Sequence, residues 1–431
     1  MRYLPRLYVL FIIFFHGYAQ AALNLVLTQG VNSAQPIAIV PFLGQSNTSA
    51  MDNISAVITN DLQNSGRFKA LSQGNMPAEP HEANAVDSNV WRETGVESVV
   101  VGRAEPLGGG NYKITFALVD IFKSQNHPVL ATQTFTVQKN QLRRLAHHIS
   151  DIVYEKLTGE RGIFSTKIAY VLAQRNGKQA RYILEVADAD GYNPRPVLTS
   201  YEPIMSPAWS HDGTRLAFVS FENKRAQIYI ANVATGERRL VSSFPGINNA
   251  PAWSPDNRKL ALVLSQEGTG PKIHVMDLAS LQLKQVTQGS AIDTEPNWSP
   301  DGRSLIFTSG RGGSPQIYRV NLGNGQTERL TFKGEYNARA SFTPDGKHIV
   351  MLHRENGMYN IAIQDLENGA IDILTSSGRD ESPSVAPNGS MVIHGTEYGV
   401  LGLVSTDGRV KLQLPAREGK VQDPAWSPFS S

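Results

Sequence analysis

A short segment recurs six times in the second half of the chain, and its period constrains the fold more than any other feature. The copies are SPAWSHDG from Ser206, APAWSPDN from Ala250, EPNWSPDG from Glu295, RASFTPDG from Arg339, SPSVAPNG from Ser382 and DPAWSPFS from Asp423. Their central positions, Trp209, Trp253, Trp298, Phe342, Val385 and Trp426, are 44, 45, 44, 43 and 41 residues apart. Four of the five tryptophans fall in this single register. A period of about 40–45 residues with four strands per unit is that of a β-propeller blade. The second copy predicts strands at Ala250–Ser254, Leu260–Leu264, Lys272–Leu278 and Gln282–Thr287, with Pro255-Asp256-Asn257 as the first turn. Proline presets φ there, and Asp-Asn or Asp-Gly tolerates left-handed backbone. The last copy stops after one strand, whereas Lys167–Ala173, Tyr182–Ala187 and Pro196–Ser200 supply strands two to four without a first. Joining these pieces gives six blades, one of them split between the two ends of residues 165–431. Such closure leaves no open sheet edge, and removing Asp423 onward is expected to destabilise the whole ring.

Residues 22–160 show no repeat. Pro36–Phe42 and Glu97–Gly102 are strand-like, and Tyr112–Phe122 with Val129–Val137 suggests a hairpin pair. Apolar residues at 54, 57, 58 and 62 and at 142, 145, 146, 149, 152, 153 and 157 mark two helices, stopped by Gly66 and Gly159. The expectation is a small α/β domain followed by the all-β six-bladed propeller.

Residues 1–21 have the form of a signal peptide: Arg2 and Arg6, an apolar run from Leu7 to Phe15, then Ala19-Gln20-Ala21. The apolar run is too short to span a bilayer comfortably, and export to the periplasm as a soluble chain starting at Ala22 is expected. Without the two leader arginines, 38 basic residues face 38 acidic ones. That balance gives no support for nucleic-acid binding. The chain has 0 cysteines, which excludes disulfides, thiolate catalysis and Cys-ligated metals.

No nucleophile elbow, phosphate loop or H-E-x-x-H zinc motif is present, so no catalytic residue and no metal ligand is assigned. His147 and His148 are adjacent, a poor chelate on a helix and expected at the surface or partly packed. The surviving constellation is at the propeller mouth, ringed by the loops that enter each first strand. Asn248, Asp293, Thr294, Glu295, Asn337, Arg339, Asp380, Glu381 and Asp423 cluster there by repeat position. A polar, partly acidic ring suits a bound peptide or protein segment, or a cation in the channel; solvated loop charge is the plain alternative. Leu23–Thr28 is strand-like, either a detachable strand that adds to a partner's sheet or simply the first strand of its domain.

An α/β domain followed by repeated S-P-A-W-S-P-D-G resembles the TolB family. The motifs that carry the resemblance are PIAIVPF from Pro36, LQNSGRF from Leu62, Leu157-Thr158-Gly159, Asp190-Gly191-Tyr192-Asn193, Met205–Ser210, Val275–Ser280, LVSTDGR from Leu403 and Pro424–Pro428. The resemblance implies a non-enzymatic periplasmic hub of the Tol-Pal system, supporting outer-membrane integrity and division. It implies binding of TolA through Ala22, Leu23, Asn24, Leu25, Val26, Leu27, Thr28 and Gln29. It also implies binding of the Pal lipoprotein at the mouth, around Ile247, Asn248, Asp293, Thr294, Glu295, Asn337, Arg339 and Asp380. Ile247 stands where some relatives carry a polar or aromatic residue. Bacteriocins are implied as further partners, and association with the envelope would run through partners alone. A propeller hydrolase of prolyl-oligopeptidase type, or a ligand-binding propeller, is the alternative.

Overall fold

The structure, a computed structural model, describes residues 24–27, 34–44, 53–123, 129–177, 179–265 and 270–429. The leader expected at residues 1–21 lies outside them, as do Ala22, Leu23, Thr28 and Gln29. Among the described residues no helix is long and apolar enough to cross a membrane.

The first domain is one mixed sheet with helices on both faces. Strand β1 (Asn24–Leu27) lies apart from it; β2 (Gln35–Ile39), β3 (Phe68–Ala70), β4 (Ser98–Gly108), β5 (Asn111–Asp120) and β6 (Val129–Gln138) form it in the order β3-β2-β4-β5-β6. Helix α1 (Ile54–Asn64) starts where the Asn53 side chain accepts the Ala56 N–H at 3.1 Å. Helix α2 is Ser88–Arg92, and α3 (Leu142–Thr158) ends on Gly159 in the left-handed conformation. Such a glycine carries no Cβ penalty. Alternation along the strands separates two cores: Ile37, Ile39 and Ile114 pack under α1 and α3, while Ala38, Val40 and Val99 pack with Trp91 of α2. Gly102 on β4 is required there, because a Cβ would sit 2.4 Å from the Phe42 ring.

The second domain has six sheets, each of four strands from residues 165–431, with β1 added as a fifth strand to one of them. Blades 1 to 4 run in sequence order from first strands Ile204–Trp209, Asn248–Trp253, Asp293–Trp298 and Tyr336–Phe342. Blade 5 comprises Glu381–Val385, Met391–Gly395, Leu401–Ser405 and Val410–Gln413. In the sixth sheet Lys420–Trp426 pairs antiparallel with Lys167–Asn176, followed by Gln179–Asp188 and Arg195–Ser200. The first strand of every blade touches those of both neighbours, which closes the ring.

Every first strand breaks register at one residue of positive φ: Ser206, Ala250, Glu295, Arg339, Ser382 and Asp423, with φ from 46° to 55°. Left-handed backbone costs a non-glycine residue about 1–2 kcal/mol, and at five of the six a following proline also keeps it out of the right-handed region. The bulge turns backbone N–H groups toward neighbouring blades: Ser206 donates to Asp423 Oδ2 at 3.2 Å and Arg339 to Glu295 Oε2 at 3.0 Å.

The repeat tryptophans are ties between blades. The indole N–H of Trp253 donates to Ala208 O at 3.0 Å, that of Trp298 to Ala252 O at 3.0 Å and that of Trp209 to Ala425 O at 3.1 Å. Trp253→Phe should therefore lower stability by about 1–2 kcal/mol, the cost of a buried carbonyl left unpaired. A urea midpoint equal to that of the parent protein would refute this role. Blade 4, with Phe342 at this position, uses another tie: its backbone N–H donates to Asn297 Oδ1 at 3.1 Å.

Candidate functional site at the channel mouth

Antiparallel alternation places the loops that enter each first strand at one end of the ring, together with the loops between second and third strands. The Pro-Asp-Gly turns are at the other end, where the first domain sits: Asn388 Nδ2 donates to Arg161 O at 2.9 Å, and the Arg161 guanidinium lies 4.0 Å from the Phe429 ring centroid. The mouth is thus the end left uncovered by the first domain.

Across the channel, the bulge residues of four blades form one polar network. Arg339 Nε donates to Glu295 Oε1 at 2.9 Å, while its Nη1 pairs with Ser382 Oγ and lies 3.3 Å from Asp423 Oδ1. Ser382 Oγ donates to Asp423 Oδ1 at 3.2 Å, and Thr308 Oγ1 to Glu295 Oε2 at 2.8 Å. Burial opposes the Arg339 charge, but Glu295 and Asp423 outweigh it and raise its pKa further. This network divides the channel; a cavity of about 620 Å³ lined by Trp209, Trp253, Trp298, Phe342 and Trp426 runs from it toward the Pro-Asp-Gly end.

The residues expected at the mouth fall into two sets. Ile247 is 41% exposed, Glu295 and Arg339 belong to the network, and Thr294 is half-buried beside it. Asn248, Asp293 and Asn337 are 0% exposed and Asp380 is 3% exposed. These four share one repeat position, two residues before each bulge, and their side chains brace loops rather than face the opening. Asn248 Oδ1 accepts from Ser242 Oγ at 2.7 Å and from the Phe244 N–H at 3.0 Å. Asp293 accepts from Ser309 Oγ at 2.6 Å and from Arg311 Nη2 at 3.0 Å, with Lys272 Nζ 3.3 Å away. Asn337 bonds Gln316 Oε1 and His353 Nδ1, and Asp380 faces His394. The repeat carried the signal: Ile204 and Val421 occupy the same position in the other two blades and are buried. Exposed apolar side chains that repeat reasoning missed lie at this end: Tyr201, Phe244, Ile292, Phe332 and Tyr398.

Strand β1 pairs antiparallel with Val410–Gln413 at the outer edge of blade 5, with Leu25 opposite Leu412 and Leu27 opposite Val410. It is therefore not a strand of the first domain's sheet. His147 goes beyond the surface or partly packed position expected of it: it is fully buried against Asp61 of α1, whereas His148 is exposed.

Fold and mouth define a class, a six-bladed β-propeller joined to a small α/β domain, with a polar network in its channel and exposed apolar side chains around the opening. Residues 23–127 match the family model for the TolB amino-terminal domain, and residues 154–430 that for the TolB beta propeller domain. The chain is 54% identical to "Tol-Pal system protein TolB" of Coxiella burnetii, covering 99% of this chain and 98% of that one. It is 56% identical to the protein of that name from Legionella pneumophila, covering 99% of each. The crystal structure of TolB from Acinetobacter baumannii superposes with a TM-score of 0.86 at 42% identity, over 95% of this chain and 100% of that one. The chain belongs to the TolB family.

Proposed function

We propose that this protein is a periplasmic, non-catalytic hub of the Tol-Pal system, which binds Pal at the propeller mouth and TolA through residues 22–29. The observation that carries the reading is the mouth: a charged network joining four blades, surrounded by exposed apolar side chains at the end the first domain leaves open. Large apolar side chains beside fixed polar groups are what a protein-binding surface needs. In this reading Ile247, Thr294, Glu295 and Arg339 meet the partner. Asn248, Asp293, Asn337 and Asp380 hold the loops that present them.

The position of β1 supports the second half of the reading. Its described attachment is a four-residue backbone ladder at a sheet edge, and a terminal strand held that way can exchange for a partner's sheet edge. Blade 5 carries Ser382 of the network on its inner strand and β1 on its outer one. A partner at the mouth would then bias β1 between docked and free states through one sheet. Through both partners the protein would support outer-membrane integrity and invagination at division.

Calorimetry of the mature protein with a Pal periplasmic domain tests the mouth. Ile247→Asp is expected to weaken binding about ten-fold or more, or about 1.4 kcal/mol, while leaving stability within about 0.5 kcal/mol. Glu295→Ala should weaken it as well. Binding unchanged by both substitutions would move the interface elsewhere; no binding by the parent protein would remove the Pal assignment.

A further inference from the structure

Where the first domain meets the propeller, ionisable side chains from distant parts of the chain come together out of water. Asp61 stands on α1, His147 and Arg143 on α3, and Asp190 in the loop between the blade 6 strands Gln179–Asp188 and Arg195–Ser200. His147, 2% exposed, has Nδ1 at 2.8 Å from Asp61 Oδ2, which also accepts from Ser150 Oγ at 2.7 Å. On its other side, His147 Nε2 lies 3.6 Å from Asp190 Oδ2 and makes no hydrogen bond. Arg143 pairs with Asp190 through Nη2, and its Nε is 3.8 Å from Asp188, which Lys167 pairs in turn. Asp151, further along α3, is turned away toward the Phe164 and Ser165 N–H groups.

The chemistry of these contacts fixes the state of the ring. Ionised Asp61 can only accept, so Nδ1 must carry a hydrogen. A neutral ring would then aim the Nε2 lone pair at the Asp190 carboxylate. An imidazolium instead presents N–H to both. It also balances the three carboxylates Asp61, Asp188 and Asp190 against Arg143 and Lys167. A divalent cation at the Asp61–His147–Asp190 cluster would have to displace Arg143 from Asp190.

We propose that Asp61, His147, Arg143 and Asp190 form an interdomain charge latch, with a protonated imidazole at its centre, that holds the first domain against blade 6 and sets the cleft beside which β1 is docked. The link to β1 is spatial. A cavity of about 740 Å³ between the domains is lined at once by Asp61 and Asp190 and by Val410 and Leu412, the ladder partners of β1. Gly66, just past α1, fits this approach only because it lacks a side chain: a Cβ would lie 2.1 Å from Val410 Cγ2. A shift of α1 relative to blade 5 would alter that contact and the edge that β1 occupies.

Burial opposes the His147 charge, but the charge and hydrogen bond of Asp61, with the charge of Asp190, push its pKa up to about 9. The folded value exceeds the ordinary 6.5, so the His147 charge contributes fully below pH 6.5 and is lost as pH rises through about 9. Burial raises the Asp190 carboxyl above its ordinary range, so that protonation of Asp190 opens the latch from the acid side. At neutral pH it is closed.

The absence of native cysteines allows a spin-label pair at Lys156→Cys on α3 and Glu367→Cys on blade 4. The latch predicts one narrow interdomain distance at pH 7 that broadens as pH approaches 10. His147→Gln, which keeps a hydrogen bond to Asp61 without the charge, and Asp190→Asn should both broaden it already at pH 7. Amide exchange of β1 at pH 7 should rise about ten-fold in both variants, the equivalent of one pKa unit of linkage. Circular dichroism would confirm that each variant is folded, and the pH series on the labelled parent needs no change at the latch. A distance unchanged to pH 10 overturns the charge latch, even if a variant perturbs the interface. Unaltered β1 exchange in both variants overturns its link to the strand. Both readouts use the protein alone, so loss of the partner assignments would leave the latch standing.

Discussion

Removing Asp423 onward is expected to abolish cooperative unfolding of the propeller. The deletion takes away Trp426, buried in the seam between blades 5 and 6, whose indole N–H donates to Thr166 Oγ1 at 2.9 Å. Burying about 150–250 Å² at about 25 cal/mol per Å² makes this side chain worth about 4–6 kcal/mol. The same cut removes Ala425 O, the acceptor for Trp209, and Asp423, the acceptor for Ser206 and Arg339. It also strips Ile168 and Ala169 of their strand partners and Lys167 of its bonds to Ser427, leaving only Lys420, Val421 and Gln422 paired with this strand. Against a typical domain stability of about 5–15 kcal/mol, these losses together bring the ring near zero. Near-UV circular dichroism during a urea titration would show it: a retained sharp transition with an unshifted midpoint would mean the ring does not depend on this strand.

The second large effect is expected at Asp293→Ala. Lys272 is 2% exposed, and its ammonium has Asp293 and the Ala291 carbonyl as partners. Stripping the carboxylate leaves a buried charge without a counter-ion, at a cost of about 3–5 kcal/mol. Arg311, more exposed, can turn its guanidinium to water, so the penalty falls on Lys272. The double change Lys272→Met with Asp293→Leu should recover most of the loss, because it removes both charges and keeps apolar volume. Chemical denaturation of the three proteins separates the possibilities. A double variant no more stable than Asp293→Ala alone would mean that Asp293 acts through Ser309 rather than the ion pair. Partner binding by Asp293→Ala would fall through loss of loop structure, so it is a poor probe of the mouth surface; Ile247→Asp is the cleaner one.

How much was legible in the chain differs from element to element. The helix at Leu142–Leu157 was visible because its apolar stripe and Gly159 stop are local, and the structure extends it by one residue, to Thr158. Blade 2 was predicted with its first strand at Ala250; it starts at Asn248, because pairing with the next strand continues on the far side of the bulge. Four mouth residues expected to face the opening turned out to be loop braces, since burial of a polar side chain depends on partners such as Lys272 and His353 elsewhere in the chain.

The sequence by itself determined the blade period, the turn chemistry, the six-bladed ring and the small α/β domain before it. Each of these follows from φ preferences and apolar spacing within a few tens of residues. Only the tertiary structure decided that β1 docks on blade 5, that one arginine ties four blades across the channel, and that His147 meets Asp61 and Asp190. Those outcomes depend on surfaces brought together by packing, where charge, desolvation and geometry are shared among segments that no local pattern connects.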